Sequence, residues 1–260
     1  MTALLVILAS MMAVAAAIRS TWSPCGLSML STLTPIGERG RNQRYASTAT
    51  WFVLGAVLGG ATLGVGAALL AVGVDSADLS GEARVGLAAV LAAVTVTSDL
   101  QLGGFRLWSH TRQVNESWLD QYRSWVYGGG FGWQIGVGLA TYVTTAAVYL
   151  MLALAALTAS PVAALAVATG FGLVRGLAVL LGRNLTTPER LMALHRRLAA
   201  LLPSAQRGVV LVQTAVLAVA VAVAVGLGPS VVVGAALVAV ALVRRPRPAT
   251  RPGASVVTAG

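Results

Sequence analysis

Cysteine, lysine and acidic residues are all scarce in this chain of 260 residues. A single cysteine, Cys25, cannot close an internal disulfide bond, which excludes a disulfide-stapled secreted fold. Lysine is absent, so the 18 basic residues are all arginines, and only 8 acidic residues oppose them. Charged residues amount to 10% of the chain, whereas a soluble domain carries about a quarter. Together with a hydrophobic content of 57%, this scarcity of charge argues for a membrane protein.

Long apolar blocks fill most of the chain and predict membrane-spanning helices, each of which needs about 20 apolar residues. The last of the seven blocks is short, so it could be half of a bent span. No basic residue precedes the first block, so we expect a retained first helix rather than a cleaved signal peptide. The blocks are Ala3–Ile36, Tyr45–Val74, Val85–Gly103, Val126–Ala159, Pro161–Leu181, Gly208–Leu227 and Ser230–Val243.

Connections rich in arginine alternate with connections that are acidic or uncharged. The positive-inside rule then predicts a multi-pass protein of the cell membrane, with its N-terminus outside and its C-terminus in the cytoplasm. Because the arginines lie between apolar blocks rather than on one polar face, we expect them to contact lipid headgroups of the bilayer and predict no nucleic-acid partner. The arginine-rich connections are 37–44, 104–125, 183–207 and 244–251, and the others are 75–84, the turn at Ser160 and 226–230.

The first and fourth blocks are too long for one regular crossing, and each contains a helix-breaking sequence. At about 1.5 Å per residue the first block reaches about 51 Å, against a hydrocarbon core of about 30 Å. Pro24 interrupts helical hydrogen bonding and Gly26 frees the backbone, so we predict a break there. In the fourth block we predict the break in the glycine-rich run Gly128–Gly138. Broken backbone at membrane depth must be buried in protein or face a watery cavity, so both breaks should face the bundle interior.

Two interrupted spans at corresponding places are typical of duplicated membrane proteins. An offset of 111 residues places Trp22 over Trp133. We therefore predict an all-α polytopic bundle of two three-helix halves, with a possible seventh span and a functional site where the breaks meet. The predicted integral membrane domain is 1–243, with pseudo-repeats at about 1–125 and 126–243, and 244–260 is predicted to be a disordered cytoplasmic tail.

The stretch Trp22–Ser28 reads Trp-Ser-Pro-Cys-Gly-Leu-Ser and resembles the Ser-Pro-Cys motif of the cytochrome c biogenesis CcdA family and the transmembrane part of DsbD. Gly130–Trp133 is similar to the lead-in of that family's second motif. The resemblance implies transfer of reducing equivalents across the membrane between thioredoxin-like partners. It implies a catalytic role for Cys25, flanked by Ser23 and Pro24.

The sequence departs from this family where the second cysteine is expected. Residues 134–138 read Gln-Ile-Gly-Val-Gly, and no cysteine other than Cys25 occurs in the chain. A two-cysteine redox cycle inside one chain is therefore impossible, and Cys25 would have to exchange with thiols of a partner. The alternative is that Cys25 is a small buried side chain packed as an apolar group.

Charged and polar residues inside the apolar blocks form a second set of candidates. A charge at membrane depth is costly and usually faces a cavity or a partner, and we expect Asp99 to pair with Arg175. An anion or polar-substrate site is the functional interpretation, while the alternative has the arginines reaching for lipid headgroups. The predicted binding residues of this site are Arg19, Asp99, Gln134, Tyr142 and Arg175.

Three classes of function stay open at this point. The resemblance favours thiol-disulfide electron transfer, the missing cysteine favours a non-redox solute transporter or exporter, and a membrane assembly or accessory factor is the third. His110 and His195 stand alone, so we predict no metal site, and we predict no cofactor. Whether the chain is an enzyme is left open.

Overall fold

The computed structural model describes residues 1–107, 121–139 and 143–225. Within these ranges the chain forms α-helices joined by short connections and contains no β-strand, which confirms the all-α prediction. The predicted seventh block and C-terminal tail lie outside the described residues. The helices are α1 Thr2–Ser20, α2 Pro24–Thr32, α3 Pro35–Gly40, α4 Tyr45–Ser76, α5 Gly81–Asp99, α6 Ser124–Val137, α7 Ala147–Leu157, α8 Pro161–Leu177 and α9 Pro188–Val225, with 3-10 turns at Leu102–Gly104 and Ala178–Gly182.

Five of the described helices are long and apolar enough to cross a membrane: α1, α4, α5, α9, and α8 together with the 3-10 turn that follows it. The shorter helices α6 and α7 divide the fourth apolar block between them. Leucines such as Leu58 and Leu69 are 64% and 69% exposed, as expected for side chains that face lipid rather than water. The chain is a multi-pass helical bundle of the membrane type.

The first span breaks at the Ser-Pro-Cys sequence, as predicted. α1 ends at Ser20, and the Ser23 side chain caps α2 by accepting a hydrogen bond of 3.1 Å from the backbone N–H of Gly26. Pro24 opens α2, where its missing N–H costs nothing. A Cβ at Gly26 would lie 2.5 Å from the Thr21 carbonyl oxygen, so the tight turn requires glycine.

In the fourth block, the helix ends at the last residue of the predicted glycine run, so the prediction included the end of the helix but also marked glycines that lie within it. α6 continues through Gly132 and Gly136 to Val137 and ends at Gly138, whose φ is +72°, and the next described helix, α7, begins at Ala147. The glycines are used for packing: a Cβ at Gly132 would overlap the Phe52 carbonyl oxygen. Because this helix touches α4 backbone to backbone, glycine here allows close approach and does not end the helix.

α4 lies at the centre of the bundle, packed along α6 on one side and α8 on another. α1 packs on α7 and α8, and α5 packs on α9. One large apolar core joins these helices, and a smaller one under α2 and α6 contains Met29, Leu30, Phe52, Tyr127 and Phe131. Both broken spans are therefore held against α8 and α4 from within the bundle.

Contacts between connections define two opposite ends of the bundle. At one end Arg84 Nη1 donates to the Thr158 carbonyl at 3.2 Å, and the side chain of Met1 lies against Gly81. At the other end the Tyr45 hydroxyl donates to the Val179 carbonyl at 2.7 Å. The Tyr45 end carries the arginine-rich connections, so it is the predicted cytoplasmic end; this orientation and the two pseudo-repeats stay predictions.

Candidate functional site

Asp99, the last residue of α5, holds the start of α7. Its carboxylate accepts a hydrogen bond of 2.7 Å from the backbone N–H of Ala146 and another from the Thr145 hydroxyl. Both donors lie in the break that precedes α7, so a negative charge sits at the positive end of this half-helix. The third span thereby fixes the second half of the broken fourth span.

Arg19 provides the opposite charge near Asp99. It lies in the last turn of α1, where a positive charge is favoured, and it is only 7% exposed. Its charge interacts with Asp99, yet within the described ranges the two side chains make no ion pair within 4 Å. Gln213 of α9, which is fully buried, lies beside the same carboxylate. Three spans thus bring polar groups to one interior position.

Arg175 of α8 interacts with the helix that ends at the second break, α6, and with the helix that begins after the first break, α2. Its Nη1 donates to the Ile135 carbonyl in the last turn of α6 at 2.8 Å, and its guanidinium lies 5.8 Å from the centroid of the Phe171 ring. It also interacts electrostatically with Cys25 in the first turn of α2. The expected pair with Asp99 was wrong, because the described chain shows no ion pair between them and Asp99 is bound to Thr145 and Ala146.

The Ser-Pro-Cys residues serve mainly to start α2. Ser23 is fully buried as the helix cap, and Pro24 is exposed at the first helical position. Cys25 is 3% exposed and packed in the interior. A thiol covered in this way has little access to an external partner, which favours the packing interpretation.

Two further predicted residues do not join this cluster. Gln134 is half-buried on α6 and makes no side-chain hydrogen bond to other described residues. Tyr142 lies outside the described residues. The polar groups that meet at the breaks are therefore Arg19, Asp99 and Gln213 on one side and Arg175 with Cys25 on the other.

A buried carboxylate at the arginine-rich end was missed from the sequence. Glu38 is fully buried, pairs with Arg41 at 3.1 Å, and accepts hydrogen bonds from the hydroxyls of Tyr127, at 2.7 Å, and Thr48. This network locks α3 onto α4 and α6. In the sequence, Glu38 stood out only as a single acidic residue in an otherwise basic connection. Gln213 was also overlooked, and it is a lone amide in an apolar block.

The first segment of α9 closes over the first break. The indole nitrogen of Trp22 donates to the Leu198 carbonyl at 2.7 Å, and the Ser31 hydroxyl lies 3.1 Å from Nε2 of His195. Among the described residues, no group of three histidine, cysteine or acidic side chains could hold a metal ion.

Four curated relatives match this chain, and all bear the name methylamine utilization protein MauF. The protein from Paracoccus versutus is 33% identical over 175 residues, covering 64% of this chain and 61% of the relative. That from Methylorubrum extorquens is 32% identical over 160 residues, covering 58% and 54%. That from Paracoccus denitrificans is 34% identical over 175 residues, covering 64% and 60%. The matched part thus spans less than two thirds of the length of these relatives.

No family model matches the chain, and no solved structure is significantly similar to it. The similarity to MauF proteins overturns the resemblance to the CcdA and DsbD family. Cytochrome c biogenesis and thiol-disulfide transfer were wrong expectations, and the similarity gives no support to thioredoxin-like partners. They depended on a short motif around Cys25 whose residues act here as a helix start.

Proposed function

We propose that this chain is a membrane-embedded accessory factor in methylamine utilization. The observation that carries the proposal is its similarity, at 32% to 34% identity, to relatives named MauF. It acts in the cell membrane, with the N-terminus outside, as the distribution of arginines favours.

The interior of the bundle supports a role without redox turnover. The lone cysteine is buried, and the charges of Asp99 and Glu38 are used to fix helix ends and a helix connection. These contacts build a stable membrane scaffold that an assembly or accessory factor needs. The chain contains no second cysteine with which Cys25 could exchange electrons.

A second candidate is a solute transporter in the same pathway. Two interrupted helices whose ends meet buried charges are the usual architecture of a transport site. Asp99 and Arg19 satisfy this pattern at the ends of α5 and α1. The two candidates differ in whether a solute moves across the membrane.

Deletion of the gene in its own organism tests the proposal. We expect growth on methylamine to be lost, growth on succinate to be unchanged, and an intact copy of the gene to restore the first. Retained growth on methylamine would contradict the proposal. In the same strains, uptake of radiolabelled methylammonium separates the candidates, because an accessory factor leaves the uptake rate unchanged whereas a transporter for this solute lowers it on deletion.

A further inference from the structure

Buried polar atoms without partners surround Asp99. Nη1 of Arg19 makes no hydrogen bond in the described structure, and neither do Nε2 and Oε1 of Gln213. Arg19 is 7% exposed and Gln213 is fully buried. Buried polar groups in folded proteins are almost always hydrogen-bonded, because leaving them unmatched costs free energy. These three atoms therefore indicate that something polar binds between them.

The carboxylate of Asp99, which lies near these atoms, also has acceptor positions that no hydrogen bond occupies. Each oxygen of Asp99 accepts one hydrogen bond, from Ala146 or Thr145, while a carboxylate offers about four lone-pair positions. Asp99 is also half-buried rather than sealed. The Gln213 amide group lies beside the Asp99 carboxylate without completing a hydrogen bond to it, and Nη1 of Arg19 keeps an unused donor. Acceptor positions remain on the Gln213 amide oxygen and on Asp99.

The position of the cluster is suited to a ligand within the membrane. α7 has 11 residues, so the Asp99 contact at its start lies about 16 Å from its far end, well inside the bundle. The same point is where the end of α1 and the start of α7 face one another through Arg19 and Asp99. Sites of this kind at interrupted helices bind solutes in other membrane proteins.

The charges specify the class of ligand. One arginine and one aspartate give the cluster a net charge of zero, so binding a ligand with a net charge would leave an unbalanced charge buried in the bundle, which is costly. A molecule that presents a carboxylate to Arg19 and the Gln213 amide nitrogen, and an ammonium group to Asp99 and the Gln213 amide oxygen, satisfies all four groups. The buried side chains on neighbouring turns are apolar and mostly small: Ala16, Val96, Ala147 and Val210.

We propose that Arg19, Gln213 and Asp99 bind the zwitterion of a small amino acid with an apolar or absent side chain, glycine being the simplest. The site is distinct from the role in methylamine use: binding is measured on purified protein, so either claim can fail alone. Acetate and methylammonium, each carrying half of the zwitterion, are the matched probes.

Isothermal titration of the full chain in lipid nanodiscs tests this site. We expect glycine to bind and acetate and methylammonium to bind at least tenfold more weakly. A cluster filled by water alone gives no saturable heat with glycine, which would overturn the proposal. Equal binding of glycine and either half-ligand would overturn it too, because charge matching would then play no part.

Variants locate the binding. Arg19→Gln should weaken glycine binding at least tenfold, whereas Arg84→Gln, at the far end of α5, should not change it. Since an altered buried charge could impair folding, Gln213→Leu is the second variant: it replaces an unmatched amide by an apolar side chain of similar size and should fold normally. Unchanged glycine binding by correctly folded Gln213→Leu would show that the ligand binds elsewhere and would refute the assignment.

Discussion

The backbone N–H of Ala146 donates to the carboxylate of Asp99 at 2.7 Å, and this bond joins the end of one membrane span to the interrupted middle of another. Because the carboxylate also lies near the charge of Arg19, it is the point on which α1, α5 and α7 depend together.

Replacing Asp99 by alanine should therefore destabilise the protein. The variant loses the cap of α7 and leaves the Arg19 charge uncompensated, a combined cost of about 2–4 kcal/mol in the free energy of unfolding. Denaturation of purified protein in detergent micelles measures it. Asp75→Ala, at an exposed position at the end of α4, should change the stability by less than about 0.5 kcal/mol. Equal effects of both substitutions would refute the capping role.

The Glu38 network offers a matched pair of threonines. Thr48→Val removes a hydrogen bond to a buried carboxylate and should cost about 1.5–3 kcal/mol. Thr50→Val removes only a bond from an exposed hydroxyl to the Ala46 carbonyl of its own helix, so its effect should be small. Denaturation of both purified variants in detergent micelles measures the difference in their free energies of unfolding. If Thr48→Val is as harmless as Thr50→Val, Glu38 does not need this donor.

Gly132 and Gly136 on α6 should tolerate no added methyl group. A Cβ at Gly136 would overlap the Ala56 carbonyl of α4, and backbone on both sides leaves nothing to move aside. We expect Gly136→Ala to destabilise the bundle by more than about 2 kcal/mol. Gly66→Ala, where nothing lies within 4 Å of the new methyl group, should be neutral or slightly stabilising. A shift in melting temperature in detergent measures both, and a tolerated Gly136→Ala would mean that α4 and α6 are farther apart.

Cys25→Ala should leave growth on methylamine unchanged. The thiol is buried, and alanine is a smaller apolar side chain at the same position in α2. Growth of the deletion strain carrying this variant, with membrane levels checked by immunoblot, is the measurement. Lost growth at normal protein level would show that the thiol itself is required. Arg175→Ala is the contrasting variant, since it removes the bond to the Ile135 carbonyl and should lower protein levels.

The orientation of the chain in the membrane can be tested in the same cysteine-free variant. With Cys25 replaced by alanine, Ser76→Cys should react with an impermeant maleimide added to intact cells, whereas Asn184→Cys should react only after the cells are opened. The arginine-rich connections predict this result, because they are retained on the cytoplasmic side. The reverse pattern would place the N-terminus inside.

The sequence predicted helices and their interruptions better than the contacts between them. Apolar length identified the spans, and Pro24 located the first break correctly, because proline acts on its own turn. The glycines from Gly128 onward misled the prediction, since whether glycine breaks a helix or allows another helix close depends on what lies opposite.

For the candidate site, the sequence identified the charged residues but not which of them interact. Arg19, Asp99 and Arg175 were recognised because charges in apolar blocks are rare, yet Asp99 binds the α7 start rather than Arg175. Which charges meet depends on helix rotation and tilt, which composition does not determine. Gln213 escaped notice because an uncharged amide hardly changes the hydropathy of its block.

The central position of α4 has a consequence for how the chain is made. α4 leaves the ribosome long before α6 and α8, the two helices that cover its glycine face. Until those helices enter the bilayer, lipid must occupy the face where Gly60 later meets Gly172. Insertion of the early helices and their final packing are therefore separate events, and a defect in α8 should yield a chain that is inserted in the membrane yet incompletely assembled.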